Sequence, residues 1–157
     1  MYASSEVSGD KKPRFVMTQF TVEEFFKFWP QLEVMLDSVP HTWRRLTKDH
    51  ICQTIAGDLM QIWGIGRPPQ ATFILMTTVN VYPAMRVFSI VWAGGHMDDG
   101  MIDLIDSTFE GYARLNDCAE IALPCGRLGW DKLLKPRGFQ REGVALFRPV
   151  ASDYSVN

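Results

Sequence analysis

The residues best suited to chemistry lie in one stretch, VWAGGHMDDGMIDLIDSTFEGYARL, at residues 91–115. Gly94, Gly95 and Gly100 precede an amphipathic helix, where free backbone N–H groups and the positive end of the helix dipole would cradle a phosphate. Asp98 and Asp99 stand in the same turn, and their carboxylates would cap the helix and occupy that field themselves. His96 is a candidate general base, because imidazole changes charge near neutral pH. It is also ordinary loop chemistry.

Other candidates lie further along the chain. Glu120, near the splayed parallel strands, is a second possible base. Cys125 follows the strand AEIAL, where a nucleophile is displayed in some enzymes, but no motif gives it a base, and a small buried hydrophobe is the simpler reading. Arg127 and Arg86 could meet a phosphate from another direction, or Arg127 could pair with Asp98, Asp99 or Asp131. No Cys/His spacing resembles a metal site. The segment SVPHTWRRLTKD holds Trp43, Arg44 and Arg45, an aromatic beside two cations that would suit a protein partner. Trp63, Trp92 and Trp130 read as core, and Trp29 is left open.

These residues need a scaffold, and the chain is long enough for one. Its 157 residues, 46% hydrophobic and 22% charged, fit a single globular domain. A net charge of −2 gives no footprint for nucleic acid, and no apolar run approaches the length of a membrane span. Three cysteines without a framework imply a reducing, cytoplasmic setting. Residues 1–13 read as a flexible tail and 151–157 as a short C-terminal tail, leaving a domain at 14–150.

Within that domain RFVMTQF predicts a first strand. TVEEFFKFWPQLEVMLDS predicts a helix with a Thr21/Glu24 capping box, kinked or broken at Pro30. A helix over 47–56 runs from a Thr47 cap to Gly57. Residues 59–65, 71–79 and 85–93 predict an antiparallel meander. A helix over 100–116 carries Met101, Ile105, Phe109 and Tyr112 on one stripe. AEIAL, at 119–123, pairs parallel with the preceding strand through that helical crossover. A last helix (GRLGWDKLLKP) and a last strand (EGVALFRP) complete the order. The fold class is α/β (α+β): a mixed, mostly antiparallel sheet flanked by helices, with one late βαβ crossover.

This order is similar to the fold of the Gcn5-related N-acetyltransferases (GNAT), and LLKPRGFQREGVALFRP looks like that family's helix, Gly-Phe turn and last strand. More narrowly, VYPAMRVFSIVWAGG and CAEIALPCGRLGWDKLLKPRGF resemble small GNAT-like proteins encoded by tailed phages and prophages. Tyr82-Pro83, Gly94-Gly95, Cys118 and Gly126-Arg127-x-Gly129-Trp130 carry that likeness. The family's coenzyme A loop reads Gln/Arg-x-x-Gly-x-Gly/Ala. With Gly100 on its last position, Asp98 falls on the first Gly and Gly95 on the Gln/Arg. The Tyr that protonates the leaving thiolate in many of these enzymes falls on Leu134, and an Asn of the same helix on Arg127.

The resemblance therefore implies a non-catalytic phage protein, a structural or assembly component (portal, tail or capsid-associated) acting through protein contacts. Its partners would be other virion proteins, with room for a homo-oligomeric assembly. It would be found in the host cytoplasm during assembly and then in the virion, with no cofactor. The alternative is an N-acetyltransferase that moves acetyl from acetyl-CoA to an amine. Gly94, Gly95, Gly100 and Arg127 would then hold the cofactor, and Glu120 or His96 would take the proton.

Overall fold

The computed structural model describes residues 14–39, 46–66, 70–124, 130–143 and 148. The chain divides into two compact units, one ending at Gly126 and one beginning at Arg127. The first holds a five-stranded sheet in the order β1-β2-β3-β4-β5. Its strands are β1 (Val16–Gln19), β2 (Gln61–Gly66), β3 (Phe73–Val81), β4 (Arg86–Gly95) and β5 (Glu120–Ala122). The first four run antiparallel, and β5 pairs parallel with β4. The mixed sheet with one late crossover is thus the arrangement that the element order predicts.

Two helices connect β1 to β2. α1 (Val22–Ser38) opens with the full capping box: the Glu24 amide donates to Thr21 Oγ1 at 3.1 Å, and the Thr21 amide to Glu24 Oε2 at 2.7 Å. Such reciprocal bonds satisfy donors that a helix start leaves orphaned. α1 runs unbroken through Pro30, against the expectation of a kink or break there. Phe25 lies before the proline and Leu32 and Leu36 after it, and all three are fully buried. Burial of both halves on one face outweighs the roughly 3 kcal/mol that an interior proline costs. α2 (Lys48–Ala56) starts at Thr47, whose hydroxyl accepts the His50 amide at 3.1 Å, and ends at Gly57.

The strands begin about two residues later than the apolar segments suggest. Leu59 is 70% exposed, and β2 starts only at Gln61. β4 extends through Gly94 and Gly95, so these glycines belong to the strand and the turn is 96–100. Within β4 the register slips once. Met76 faces Trp92 while Thr77 faces Ile90, so Val91 is an extra residue, a β-bulge.

Each face of the sheet has its own core. One face meets α1 and α2 through Ile62, Ile74, Met76 and Trp92, packed with Phe25, Leu32, Leu36, Ile51 and Ile55. The other meets α3 (Met101–Leu115), which buries Met101, Ile105, Phe109 and Ala113 at four-residue spacing. Tyr112, placed on the stripe by the sequence, is only half-buried. It belongs instead to a ring cluster: Trp63 lies 5.3 Å from Phe109 and 5.0 Å from Tyr112, and Phe88 lies 5.0 Å from Phe109. Edge-to-face pairs of this kind add to plain area burial. Trp63 Nε1 donates to Thr77 Oγ1 at 2.9 Å, and Thr77 Oγ1 to Gln61 Oε1 at 3.2 Å, all in the buried interior.

The second unit holds α4 (Asp131–Leu134), continued by a 3₁₀ turn at Lys135–Arg137 and ended by Gly138 at φ +85°. Arg141 pairs with Asp131 across it. The sequence places a longer helix over 126–136; 125–129 lie outside the described residues, as do 144–147 of the expected last strand and both tails. Trp130, expected in the core, is partly exposed.

Replacing Thr77 by valine keeps the shape but strips the buried Trp63 N–H and Gln61 amide of their partner. Urea unfolding should show a loss of about 1–3 kcal/mol.

Candidate functional site

β4 leads into the site, and the sequence fixes its path. β5 pairs with Val87, Phe88 and Ser89 and ends at Ala122, just before the level of the bulge at Val91. Among the described residues no strand pairs with the end of β4 on that side, and α3 starts a few residues on. Trp92 turns into the α1/α2 core, and a Cβ on Gly94 would come within 2.4 Å of its ring. A Cβ on Gly95, at φ +107°, would meet the Thr72 carbonyl at 2.3 Å and Met35 Cε at 2.7 Å. Both glycines are therefore required by close approach within the protein. Gly100, at φ +89°, faces open space.

In the turn, the His96 amide donates to the Thr72 carbonyl at 2.9 Å and so prolongs the β3–β4 ladder by one bond. His96 Nε2 lies 3.0 Å from Asp98 Oδ1. The Asp98 amide points to Met101 Sδ at 3.4 Å, and the Met101 amide to the Asp98 carbonyl at 3.2 Å. Gly100 is the N-cap of α3, and no side chain caps the helix. That corrects the expectation that Asp98 and Asp99 cap it. The left-handed Gly100 sets the helix entry, Asp98 turns to His96, and Asp99 lies exposed. The expected pairing of Asp98 with Arg127 concerns a residue outside the described set; the partner observed is His96.

The remaining candidates are spread apart. Glu120 opens β5 opposite Val87, exposed and eight residues back along β4 from Gly95. At about 3.3 Å per residue that is roughly 25 Å. It does not meet His96. Arg86 begins β4, further from the turn still, and faces Cys118, so it cannot serve a phosphate at Gly100. Leu134 is half-buried on α4. Arg127, Cys125, Trp43, Arg44 and Arg45 lie outside the described residues. Trp63 and Trp92 are buried, and Trp29 packs at the margin of the α1/α2 core against Phe25. Among the described residues no cluster of three His, Cys, Asp or Glu could hold a metal.

One feature of this region was missed by the sequence reading. The His96/Asp98 pair has a signal in the i, i+2 spacing of the two residues. A groove of about 630 Å³ opens elsewhere, on the α1 face, lined in part by Thr18, Phe20, Phe28, Gln31 and Met35. At the opposite pole from the turn, burial pushes the Cys118 thiol up, with Arg86 opposing and Asp117 adding to it. Burial, then Asp58 and Cys118, push the Tyr112 phenol up against a bond from Asn116.

Chemically, the turn can present an imidazole oriented by a carboxylate and a helix start without a side-chain cap. Known structures place this arrangement in a fold. Ribosomal-protein-alanine N-acetyltransferase from Brucella melitensis biovar Abortus 2308 superposes with a TM-score of 0.65 at 11% identity, over 87% of this chain and 99% of its own. A GNAT family acetyltransferase of Staphylococcus aureus subsp. aureus USA300_TCH1516 gives 0.61 at 11% identity, over 88% and 100%. A transcriptional regulator from Bacillus halodurans C-125 gives 0.65 at 14% identity, over 85% and 99%. No family model and no curated protein matches the sequence. At these identities the likeness concerns architecture: the chain has a GNAT-like fold.

Asp98→Ala should change stability by less than about 0.5 kcal/mol, because the carboxylate caps nothing; loss of a true cap costs about 0.5–2 kcal/mol. Denaturant melts of the two proteins separate these outcomes. The raised Cys118 and Tyr112 groups keep their protons more tightly folded than unfolded, so their contribution is complete below the unfolded values, about 8.5 and 10, and is lost as pH rises through the folded ones. Melting temperature should fall as pH rises past the unfolded values, and Cys118→Ser should flatten the first part of that fall.

Proposed function

We propose that this chain is a GNAT-fold protein that does not transfer acetyl groups and acts through protein contacts, as a structural or assembly component of a tailed-phage particle. The observation that carries the first half is Asp98, held by His96 in the turn where the fold's enzymes bind coenzyme A pyrophosphate. A carboxylate about 5 Å from a phosphate repels it by roughly 1–3 kcal/mol, depending on solvent exposure. The dipole of α3 returns only about 0.3–1 kcal/mol. Repulsion wins. The position of the family's proton-donating Tyr is Leu134, which has no proton to give. The phage half rests on the motifs Tyr82-Pro83, Gly94-Gly95 and Cys118 and on the Gly126 to Trp130 stretch. It implies residence in the host cytoplasm and then in the virion, beside portal, tail or capsid proteins.

One observation favours acetyl transfer instead: α3 begins with no side-chain cap, which leaves backbone donors at the turn where the fold's enzymes bind pyrophosphate. A general base would then be His96, supported by Asp98.

Thermal denaturation with millimolar acetyl-CoA decides between the two. A ligand at ~100 times its dissociation constant stabilises by about 2.7 kcal/mol, which in a chain of this size is a rise of roughly 5–10 °C. No shift is expected. A rise of that size overturns the non-catalytic reading. If the double variant Asp98→Gly, Asp99→Gly acquires the shift, the aspartates are what excludes the cofactor.

A further inference from the structure

We propose that the outer edge of the β3–β4 hairpin is a self-association surface, through which two copies of this chain pair strand to strand. β2 accompanies β3 only as far as Gln61 opposite Thr77, whereas β3 continues to Val81 with β4 on its other side. Among the described residues, 78–81 therefore carry a strand edge with no paired neighbour. The Tyr82 amide donates to the Met85 carbonyl at 2.8 Å, so residue 82, and by alternation 80 and 78, direct their backbone groups toward β4. Val79 and Val81 direct theirs outward.

The edge has none of the usual protection. Natural sheets blunt free edges with charges, prolines or bulges. Residues 78–81 contain none of these, and no charged side chain occurs from 68 to 85. Apolar surface gathers at the same pole. Val81 is 73% and Tyr82 54% exposed, and Leu59, just before β2, and Leu115, ending α3, are exposed as well.

A second copy fits this edge on symmetry grounds. In an isologous contact each residue meets its own patch, so a charged edge would repel itself and a neutral one does not. An antiparallel two-fold through Asn80 sets Val79 against Val81 of the second copy as a hydrogen-bonded pair, and both outward N–H and C=O groups are satisfied at once. Asn80 then faces its own copy as a non-hydrogen-bonded pair, with Cα atoms about 4.5 Å apart. This surface is remote from the β4–α3 turn and stands whether or not that turn binds acetyl-CoA.

Analytical ultracentrifugation of the full chain tests it. At tens of micromolar, the expected species has twice the 17.9 kDa chain mass. Val81→Lys, at an exposed position, should keep its circular dichroism and weaken association at least tenfold. Asn80→Cys should form a disulfide-linked dimer on mild oxidation, since that Cα spacing suits a disulfide, while the wild-type chain should not. A wild-type chain that sediments as a monomer at 100 µM overturns the proposal. So does a dimer that Val81→Lys leaves intact, or one that Asn80→Cys fails to cross-link.

Discussion

The extra residue at Val91 is the constraint on which the rest of the fold depends. Phe88, Ile90 and Trp92 share one parity, and a regular strand would send all three side chains to the same face. The bulge changes parity between them. Phe88 reaches the Phe109 ring at 5.0 Å on the α3 side, while Trp92 enters the α1/α2 core. One β4 strand thereby nails both helical layers to the sheet. A bulged strand also bends and twists more than its neighbours, so the three-residue β5 does not follow it past Ser89.

Trp92 then dictates the glycines. Its ring fills the space above residue 94, where a Cβ would stand 2.4 Å from it, and the approach of Thr72 and Met35 leaves no room at residue 95. A Gly-Gly pair before a helix is often a sign of backbone yielding to a ligand's phosphate. Here the backbone yields to a tryptophan on one side and to a neighbouring strand and α1 on the other. The same residues would look identical in a cofactor motif, which is why a glycine pattern alone is weak evidence of binding.

What the sequence made legible follows from how local each signal is. The Thr21/Glu24 box, the Thr47 cap and the four-residue stripe from Met101 to Phe109 are decided within a few residues, and the structure has all three. The path of α1 through Pro30 depends on burial from both sides of the proline, which no local rule contains. The true starts of β2 and β3 depend on which backbone groups find a partner across the sheet, so Leu59 could look like strand and lie exposed. At the site the type of residue was readable and its orientation was not. Asp98 and Asp99 were rightly seen beside a helix start. Whether a carboxylate caps that start depends on a left-handed Gly100 and on an imidazole two residues upstream, and both are set by how β4 ends.

That orientation makes the turn a contest between two fields. A helix start without a side-chain cap still offers N–H groups to an anion. The Asp98 charge is directed by His96 and leaves the cap position empty, so the attraction and the repulsion act on the same small volume. The geometry of the turn does not depend on these charges, because the bulge, the crossover and the core that produce it are held by packing. The architecture therefore sets where the helix start and the turn lie, and the charge at residue 98 sets the field they present.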